Sequence, residues 1–290
     1  MNNKQHSFVV SSISDNNIFH IFLNDILRRY KPEATHILVS EVNIDKQHPC
    51  QQWRWFVLNK LYSDAKLQYI DRNLQPSEIT HPGYNHVHFA PSVSIDPHIF
   101  QVYQRLQSKS KGEYILLNQR SLNNRYLYDD TTELPLQEWL QTKQFGSYPL
   151  KWCNFETMTP EEQYEVCSKA VVFISAHGAG CTNCLFTPQD CPLIEINFRK
   201  HWYCDPVCQD HISGKVSVNE KCNGILQYNK HFHKADYHNL CCLIGKPYIE
   251  IEATRYGGGF TSINPISKEK VFLNGNDISE AILLSMQTKK

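Results

Sequence analysis

The sequence lacks a long apolar run, and its 290 residues carry no formal net charge. No stretch approaches the roughly 18 consecutive apolar residues that span a bilayer. At the N-terminus, no basic segment followed by an apolar one marks a secretory signal. Asn-x-Ser/Thr sequons are also missing. We therefore expect no membrane span and a cytoplasmic location.

Acidic and basic side chains balance, since Lys plus Arg and Asp plus Glu both number 29. A protein that binds nucleic acid through its overall charge is normally basic. The composition therefore predicts no nucleic-acid partner. A balanced overall charge still allows a few basic residues to surround a bound phosphate.

Cysteine, in contrast, is abundant: there are 11, and ten of them fall between Cys153 and Cys242. An odd count in a long chain does not resemble a small disulfide-stapled domain. We expect most of these residues to be small buried apolar side chains. Two alternatives stay open after residue 200, namely a zinc site and a Cys204–Cys222 disulfide. The zinc-ligand side chains lie there at a non-standard spacing: His201, Cys204, Cys208 and His211.

Short apolar strands alternate with helical patterns along the chain, which is typical of parallel sheets covered by helices. The first half has predicted strands over 7–13, 36–40 and 67–70 and helices over 16–30, 53–62 and 99–106. The second half has strands over 114–117, 170–174, 192–196 and 248–251 and helices from 159, over 237–243 and over 277–286. We predict an α/β fold with an N-terminal domain over 1–108, a C-terminal domain over 109–275 and a closing helix over 276–290.

The strand over 170–174 leads into the most informative feature of the chain, the turn His177-Gly178-Ala179-Gly180. A glycine turn from a strand into a helix exposes backbone N–H groups and the positive helix end to an anion, most often a phosphate. Glu195 lies near the end of the next strand, where nucleotide-binding folds often bind ribose hydroxyls. The segment therefore predicts a nucleotide-diphosphate ligand.

The residues around this turn resemble the family 61 glycosyltransferases, whose hallmark is an apolar strand followed by His-Gly-Ala-Gly-Leu-Thr-Asn. Thr182 and Asn183 match that pattern, and Cys181 replaces the leucine. Three further segments resemble the family in the correct order. These are its Asn-x-Phe-His helix at 17–25, its arginine-bearing strand and turn at 115–125, and its Phe-Glu…Glu-Gln segment at 155–163. The resemblance covers about residues 8–255.

The resemblance implies a GT-B fold, with two Rossmann-like lobes and a cleft between them, and an inverting transfer of a sugar. It places the donor, a UDP-sugar, in the C-terminal lobe. The acceptor, an oligosaccharide or glycoprotein glycan, is expected on the N-terminal lobe. Related enzymes transfer xylose, arabinose or N-acetylglucosamine, and xylose is our preferred choice. The short N-terminal half and the missing membrane anchor indicate a compact cytoplasmic member of bacterial or viral type.

The turn and the resemblance together give a set of candidate site residues. The donor-binding candidates are Arg120, Arg125, His177, Gly178, Ala179, Gly180, Thr182, Asn183 and Glu195. The acceptor-binding candidates are Asn17, His20 and Glu41. The catalytic candidates are His20, Asp25 and His177, and His20 ranks first as the general base that an inverting displacement needs.

No Asp-x-Asp pair occurs in the chain. Glycosyltransferases that hold the pyrophosphate through a divalent metal normally need such a pair, so we expect no metal site and no cofactor. Arg120 and Arg125 then offset the charge of the leaving group, together with the helix dipole.

Other interpretations of the candidate residues stay open. His20 could equally be packed in the core. His177 could simply hold the turn by hydrogen bonds, and Glu195 could be a carboxylate exposed to solvent at the end of its strand. Both arginines fit ordinary surface cations as well. The alternative function is a catalytically silent module that binds a glycan or nucleotide, and a zinc-stabilised interaction protein is a third.

Overall fold

The computed structural model of the chain describes residues 7–10, 17–27, 30, 36–40, 47–63, 66–70, 99–122, 125–198, 236–257 and 270–287. The chain divides into two compact units. Unit 1 contains Met1–Gln107 and Thr159–Glu162, and unit 2 contains Ser108–Met158 and Gln163–Lys290.

Unit 1 is built on a parallel three-stranded sheet in the order β1-β2-β3. Its strands are β1 (Ser7–Val10), β2 (His36–Ser40) and β3 (Lys66–Ile70). Its helices are α1 (Ile18–His20), which continues as a π-helix over Ile21–Leu27, then α2 (Pro49–Leu61) and α3 (Ile99–Leu106). These elements confirm the strands and helices predicted for the first half.

Local chemistry explains where two of these helices begin. The Asn17 side-chain oxygen accepts a hydrogen bond of 2.9 Å from the Phe19 backbone N–H and so caps α1. His48 caps α2 in the same way, through a bond of 3.2 Å from the Cys50 N–H to its Nδ1. Pro49 suits the first helical position. This helix therefore begins before the predicted residue 53.

Unit 2 is built on a five-stranded parallel sheet. Its strands are β4 (Tyr114–Asn118), β6 (Leu150–Cys153), β7 (Ala170–Ala176), β8 (Leu193–Asn197) and β9 (Tyr248–Glu252), in the order β6-β4-β7-β8-β9. Every residue of β4, β7 and β8 is buried. That burial is expected of central parallel strands covered on both faces, and it fits their largely apolar sequences. Glu195 on β8 is a buried exception.

Helices cover this sheet. They are α4 (Leu136–Gln141), α5 (Pro160–Ser168), α6 (Asp236–Leu243) and α7 (Gly275–Gln287), with 3₁₀ helices over Phe155–Thr157 and Ala179–Phe186. The first residues of α5, up to Glu162, are assigned to unit 1, and the rest of this helix belongs to unit 2. The predicted start of α5 is confirmed as a capping box. The Thr159 N–H donates to the Glu162 carboxylate at 2.8 Å, and the Glu162 N–H donates to the Thr159 hydroxyl at 3.3 Å.

Unit 2 also contains a second sheet that the sequence patterns missed. It joins β10 (Arg255–Gly257), β11 (Lys270–Leu273) and β5 (Tyr126–Asp129), with β11 parallel to β5 and antiparallel to β10. The strands are only three or four residues long, so they carry too little periodicity to be recognised.

The α/β class predicted from the alternating pattern is confirmed in both units. Within the described ranges, no helix has the length and apolar character needed to cross a membrane.

Candidate functional site

The turn predicted to bind an anion follows β7 in unit 2. The His177 N–H donates to the Ile196 carbonyl at 2.9 Å, which continues the pairing of β7 with β8. Gly178 then takes φ 146° and ψ −177°. This combination is essentially limited to glycine, because a side chain would clash with the backbone there. The chain enters the 3₁₀ helix at Ala179, so the predicted strand–turn–helix is confirmed.

Two arginine side chains converge on this turn. A methyl group on Gly178 would lie 2.6 Å from Nη1 of Arg125 and 3.1 Å from Nη1 of Arg120. Arg120 comes just after β4, and Arg125 comes just before β5. The bare Cα of Gly178 therefore lets two guanidinium groups pack against the start of the 3₁₀ helix, where the helix end already favours an anion.

Arg120 is held in place by Glu156, a residue that the sequence interpretation did not select. Arg120 Nη2 lies 2.9 Å from Glu156 Oε1, and the Ser121 N–H donates to Oε2 at 3.1 Å. Burial acts to raise the pKa of Glu156, but Arg120 and Ser121 hold that pKa below its ordinary value. Glu156 is therefore a charged partner that orients the guanidinium.

Arg125 is fixed by different contacts. Its Nη1 donates to the His177 carbonyl at 3.1 Å, and its guanidinium lies over the Phe198 ring at 5.3 Å from the centroid. Its backbone has a positive φ of 54°, which is uncommon for a residue other than glycine.

His177 and Glu195 form a buried pair, with imidazole Nδ1 hydrogen-bonded to Glu195 Oε1. Tyr248 on β9 donates to the other carboxylate oxygen at 2.8 Å. Glu195 is only 3% exposed, so it is not the solvated strand end that the sequence left open. Both of its oxygens already have protein partners. A contact of Glu195 with ribose stays a prediction.

Thr182 and Asn183 are fully buried under the turn. The Tyr237 hydroxyl donates to the Gly178 carbonyl at 2.7 Å and lies 3.3 Å from the Thr182 hydroxyl. The Asn183 amide donates to Gln163 at 2.9 Å. In this structure both side chains therefore support the turn from beneath, and their contact with a donor stays a prediction.

Gln163 extends this support to the segment that carries Glu156. Its amide nitrogen donates to the Phe155 carbonyl at 3.0 Å and to the Met158 carbonyl at 3.1 Å. A buried chain of hydrogen bonds thus runs from Asn183 through Gln163 to Phe155, the residue before Glu156. Glu156 in turn pairs with Arg120 in a more exposed position.

We predict that Asn183→Ala lowers the free energy of unfolding by about 1–3 kcal/mol, because it leaves the buried Gln163 amide oxygen without its donor. We also expect weaker anion binding at the turn, since Glu156 loses its indirect support. Urea unfolding and UDP calorimetry measure the two effects. Asn276→Ala is the control, because Asn276 is exposed on α7. Equal stability of the two variants would contradict the prediction.

Gly180 completes the turn. A methyl group there would lie 2.7 Å from Nδ2 of Asn118. That nitrogen donates to the Ser175 hydroxyl at 3.0 Å, while the side-chain oxygen of Asn118 accepts from the Phe155 N–H at 3.3 Å. Gly180 therefore allows the close packing of β4 against the 3₁₀ helix that carries Ala179.

Three of the residues predicted in unit 1 lie at the start of α1, at its end and in the π-helix that continues it. Asn17, predicted to bind the acceptor, caps α1 with its side chain. His20 is the last residue of α1, and Asp25 lies in the π-helix. Only the backbone of His20 and Asp25 is described, and Glu41 lies outside the described residues. Their acceptor-binding and catalytic roles stay predictions.

Cys181 and Cys184 are free and fully buried, so the prediction that they pack as apolar side chains is confirmed. Burial raises the pKa of the Cys181 thiol well above its ordinary value. In the described part of the chain, His, Cys, Asp and Glu side chains form no cluster that would hold a metal ion. The alternative zinc set at 201–211 and the Cys204–Cys222 pair lie outside the described residues.

The fold and the site define an α/β protein whose glycine turn, at the end of the central strand β7, lies beside two guanidinium groups. The chain belongs to the glycosyltransferase 61 family, whose model matches residues 20–194. The match includes both arginines and the whole turn, so the resemblance inferred from the sequence is confirmed. No curated protein matches the chain.

The sequence interpretation missed the residues that support this site: Glu156, Gln163, Tyr237 and Tyr248. Glu156 and Gln163 lie within the Phe-Glu…Glu-Gln segment, which offered a signal for them. Tyr237 and Tyr248 fall in an ordinary helix and strand, and no sequence pattern distinguishes them from core residues.

Proposed function

We propose that this protein is an inverting, metal-independent glycosyltransferase that moves a sugar from a UDP-sugar to a hydroxyl of a glycan. Membership of the family supports glycosyl transfer as the general activity. The observation that carries the finer proposal is the convergence of the Arg120 and Arg125 guanidinium groups on Gly178. Two fixed cations beside a helix N-terminus suit the two negatively charged phosphates of a nucleotide diphosphate.

The proposed chemistry is a single displacement at the anomeric carbon. The acceptor oxygen forms the new bond to that carbon while the bond to the diphosphate oxygen breaks, and the electron pair leaves with UDP. A general base takes the acceptor proton, and His20 or Asp25 in unit 1 is the proposed base. Arg120 and Arg125 stabilise the charge that develops on the diphosphate, which is the part a metal ion plays in other transferases.

The arrangement of the two units as GT-B lobes, with the acceptor bound by unit 1, is part of the proposal. So are xylose as the transferred sugar, an oligosaccharide or glycoprotein glycan as the acceptor, and a cytoplasmic location. The α/β sheets of both units support the GT-B proposal, since each has the parallel strands that a Rossmann-like lobe needs.

The test is incubation of the protein with UDP-xylose, UDP-arabinose and UDP-N-acetylglucosamine, with and without acceptor glycans. Free UDP is measured in EDTA and in Mn²⁺, and product NMR gives the anomeric configuration. We expect UDP release with one donor, the same rate in EDTA, and an inverted linkage. Release that needs Mn²⁺ would overturn metal independence. Binding of a glycan or UDP without release from any donor would point to a silent binding module.

A further inference from the structure

We propose that Glu195, supported by Tyr248, keeps His177 protonated, so that the imidazolium is a third cation at the diphosphate site. This inference rests on the proposed function, because it assigns His177 a role toward the same donor. Glu195 and Tyr248 follow the matched family residues, which end at 194. Glu195 and Tyr248 are positioning residues in this proposal, since they act through His177.

The geometry of the pair supports a shared charge. Glu195 is 3% exposed and His177 is 7% exposed. A buried carboxylate is costly unless an opposite charge or strong donors compensate it. Imidazole Nδ1 is the partner of Oε1, and a carboxylate that close stabilises the protonated ring. The charged pair is therefore favoured over a carboxylate held by neutral donors alone.

Tyr248 fixes the other side of the carboxylate. Its hydroxyl lies 2.8 Å from Glu195 Oε2 and 3.3 Å from Glu250 Oε2, so its single proton goes to Glu195. Burial, together with the Glu195 carboxylate, raises the pKa of Tyr248 well above its ordinary value. The phenol therefore remains a donor at every physiological pH and holds Glu195 oriented toward His177.

The other charged groups near His177 act on its protonation in both directions. Arg125 lies against the His177 carbonyl and opposes a further positive charge, while Arg120 is offset by Glu156. Glu250 adds negative charge on β9 beside Tyr248. The titratable and charged groups that contact His177 are Arg125, Glu195 and Tyr237. Those that lie one contact further out, around Gly178, Glu195 or Tyr248, are Arg120, Cys181, Tyr248 and Glu250.

Backbone and ring contacts together fix His177 beside the turn. Its N–H is bonded to Ile196, its carbonyl accepts from Arg125, and its ring meets the edge of Tyr237 at a centroid distance of 5.8 Å. His177 is the residue immediately before Gly178, on which both arginine side chains converge. A protonated ring in this position adds a charged hydrogen-bond donor beside the Arg120 and Arg125 guanidinium groups at the proposed diphosphate site.

The test is UDP affinity of the full chain by calorimetry between about pH 6 and pH 8, the range in which an ordinary histidine loses its charge. Selective ¹⁵N-histidine NMR reads the protonation of His177 directly, with His177→Gln to assign the signal. For the wild type we expect both ring nitrogens to remain protonated across this range. Glu195→Gln is expected to lose roughly tenfold more UDP affinity than the wild type as the pH rises across this range, because the imidazole loses the carboxylate that favours its protonated form.

Glu250→Gln is the matched control. Glu250 on β9 is paired with Glu195 in the sheet register, and this change removes its carboxylate without altering the His177–Glu195 pair. Its pH profile is expected to follow the wild type. If Glu195→Gln fails to fold, Tyr248→Phe replaces it. We expect Tyr248→Phe to lose about threefold more UDP affinity than the wild type as the pH rises. A neutral His177 in the wild type, or a wild-type profile in Glu195→Gln and Tyr248→Phe, would overturn the inference. Absence of UDP binding at every pH, with His177 still protonated, would instead contradict the proposed function.

Discussion

Arg120→Ala is expected to weaken UDP binding by roughly 10–100-fold, which corresponds to the loss of a charged hydrogen bond worth about 1.5–3 kcal/mol. Transfer should fall further, by about 10²–10³-fold, because the guanidinium opposes charge that grows as the diphosphate leaves. Calorimetry with UDP and the rate of UDP release measure the two losses separately.

Two companion variants sharpen this prediction. Removing Arg120 leaves the Glu156 carboxylate without its partner beside the proposed UDP site. Comparing Arg120→Ala with the double variant Arg120→Ala/Glu156→Gln therefore separates the lost attraction between Arg120 and UDP from the repulsion between Glu156 and UDP. Arg255→Ala is the matched control, because Arg255 is also a paired arginine of unit 2, bonded to Asp130 and Glu133. Unchanged UDP affinity in Arg120→Ala would remove this residue from the donor site.

Gly178→Ala is expected to damage both the fold and the site. The φ and ψ of Gly178 cost a residue with a side chain about 1–3 kcal/mol. The added methyl group would also meet Arg125 Nη1 at 2.6 Å and displace it from the turn. We therefore expect a lower unfolding free energy by that amount and a loss of UDP affinity of at least about tenfold.

Gly146→Ala is the control for the backbone effect. Gly146 also has a positive φ, of 62°, but nothing lies within 4 Å of the position a methyl group would take. It should lose about 1–2 kcal/mol of stability and keep its UDP affinity. If both glycine variants bind UDP as the wild type does, the close approach of the arginines is irrelevant to the ligand.

The sequence predicted the elements that carry the site, because their signals are local. The apolar run before His177 and the glycines after it indicate a buried strand and a turn without any knowledge of the rest of the chain. The same holds for the start of α5, where Thr159 and Glu162 cap each other. The arginines were selected through the family resemblance, and the structure brings both side chains to the turn.

The pairing of His177 with Glu195 could not be predicted from these signals. It depends on the register of β7 against β8, which pairs Ala176 with Ile196. A shift by one residue would turn Glu195 to the other face of the sheet. The support from Tyr248 needs the position of β9 as well, and strand order is set by packing of the whole unit.

The second sheet of unit 2 was missed for a related reason. Its strands β5 and β11 are short and come from opposite ends of the unit, so no local pattern indicates that they pair. The sequence therefore predicted the parallel sheet of unit 2 but not the second sheet, whose strand β5 begins just after Arg125.

That second sheet means that the two cations belong to different parts of the scaffold. Arg120 extends from the five-stranded sheet, whereas Arg125 extends from the three-stranded one and reaches across to the His177 carbonyl. An anion held between them would link the two sheets. Ligand binding would then stabilise the whole unit. The affinity for the ligand would depend on how firmly the small sheet packs onto the large one.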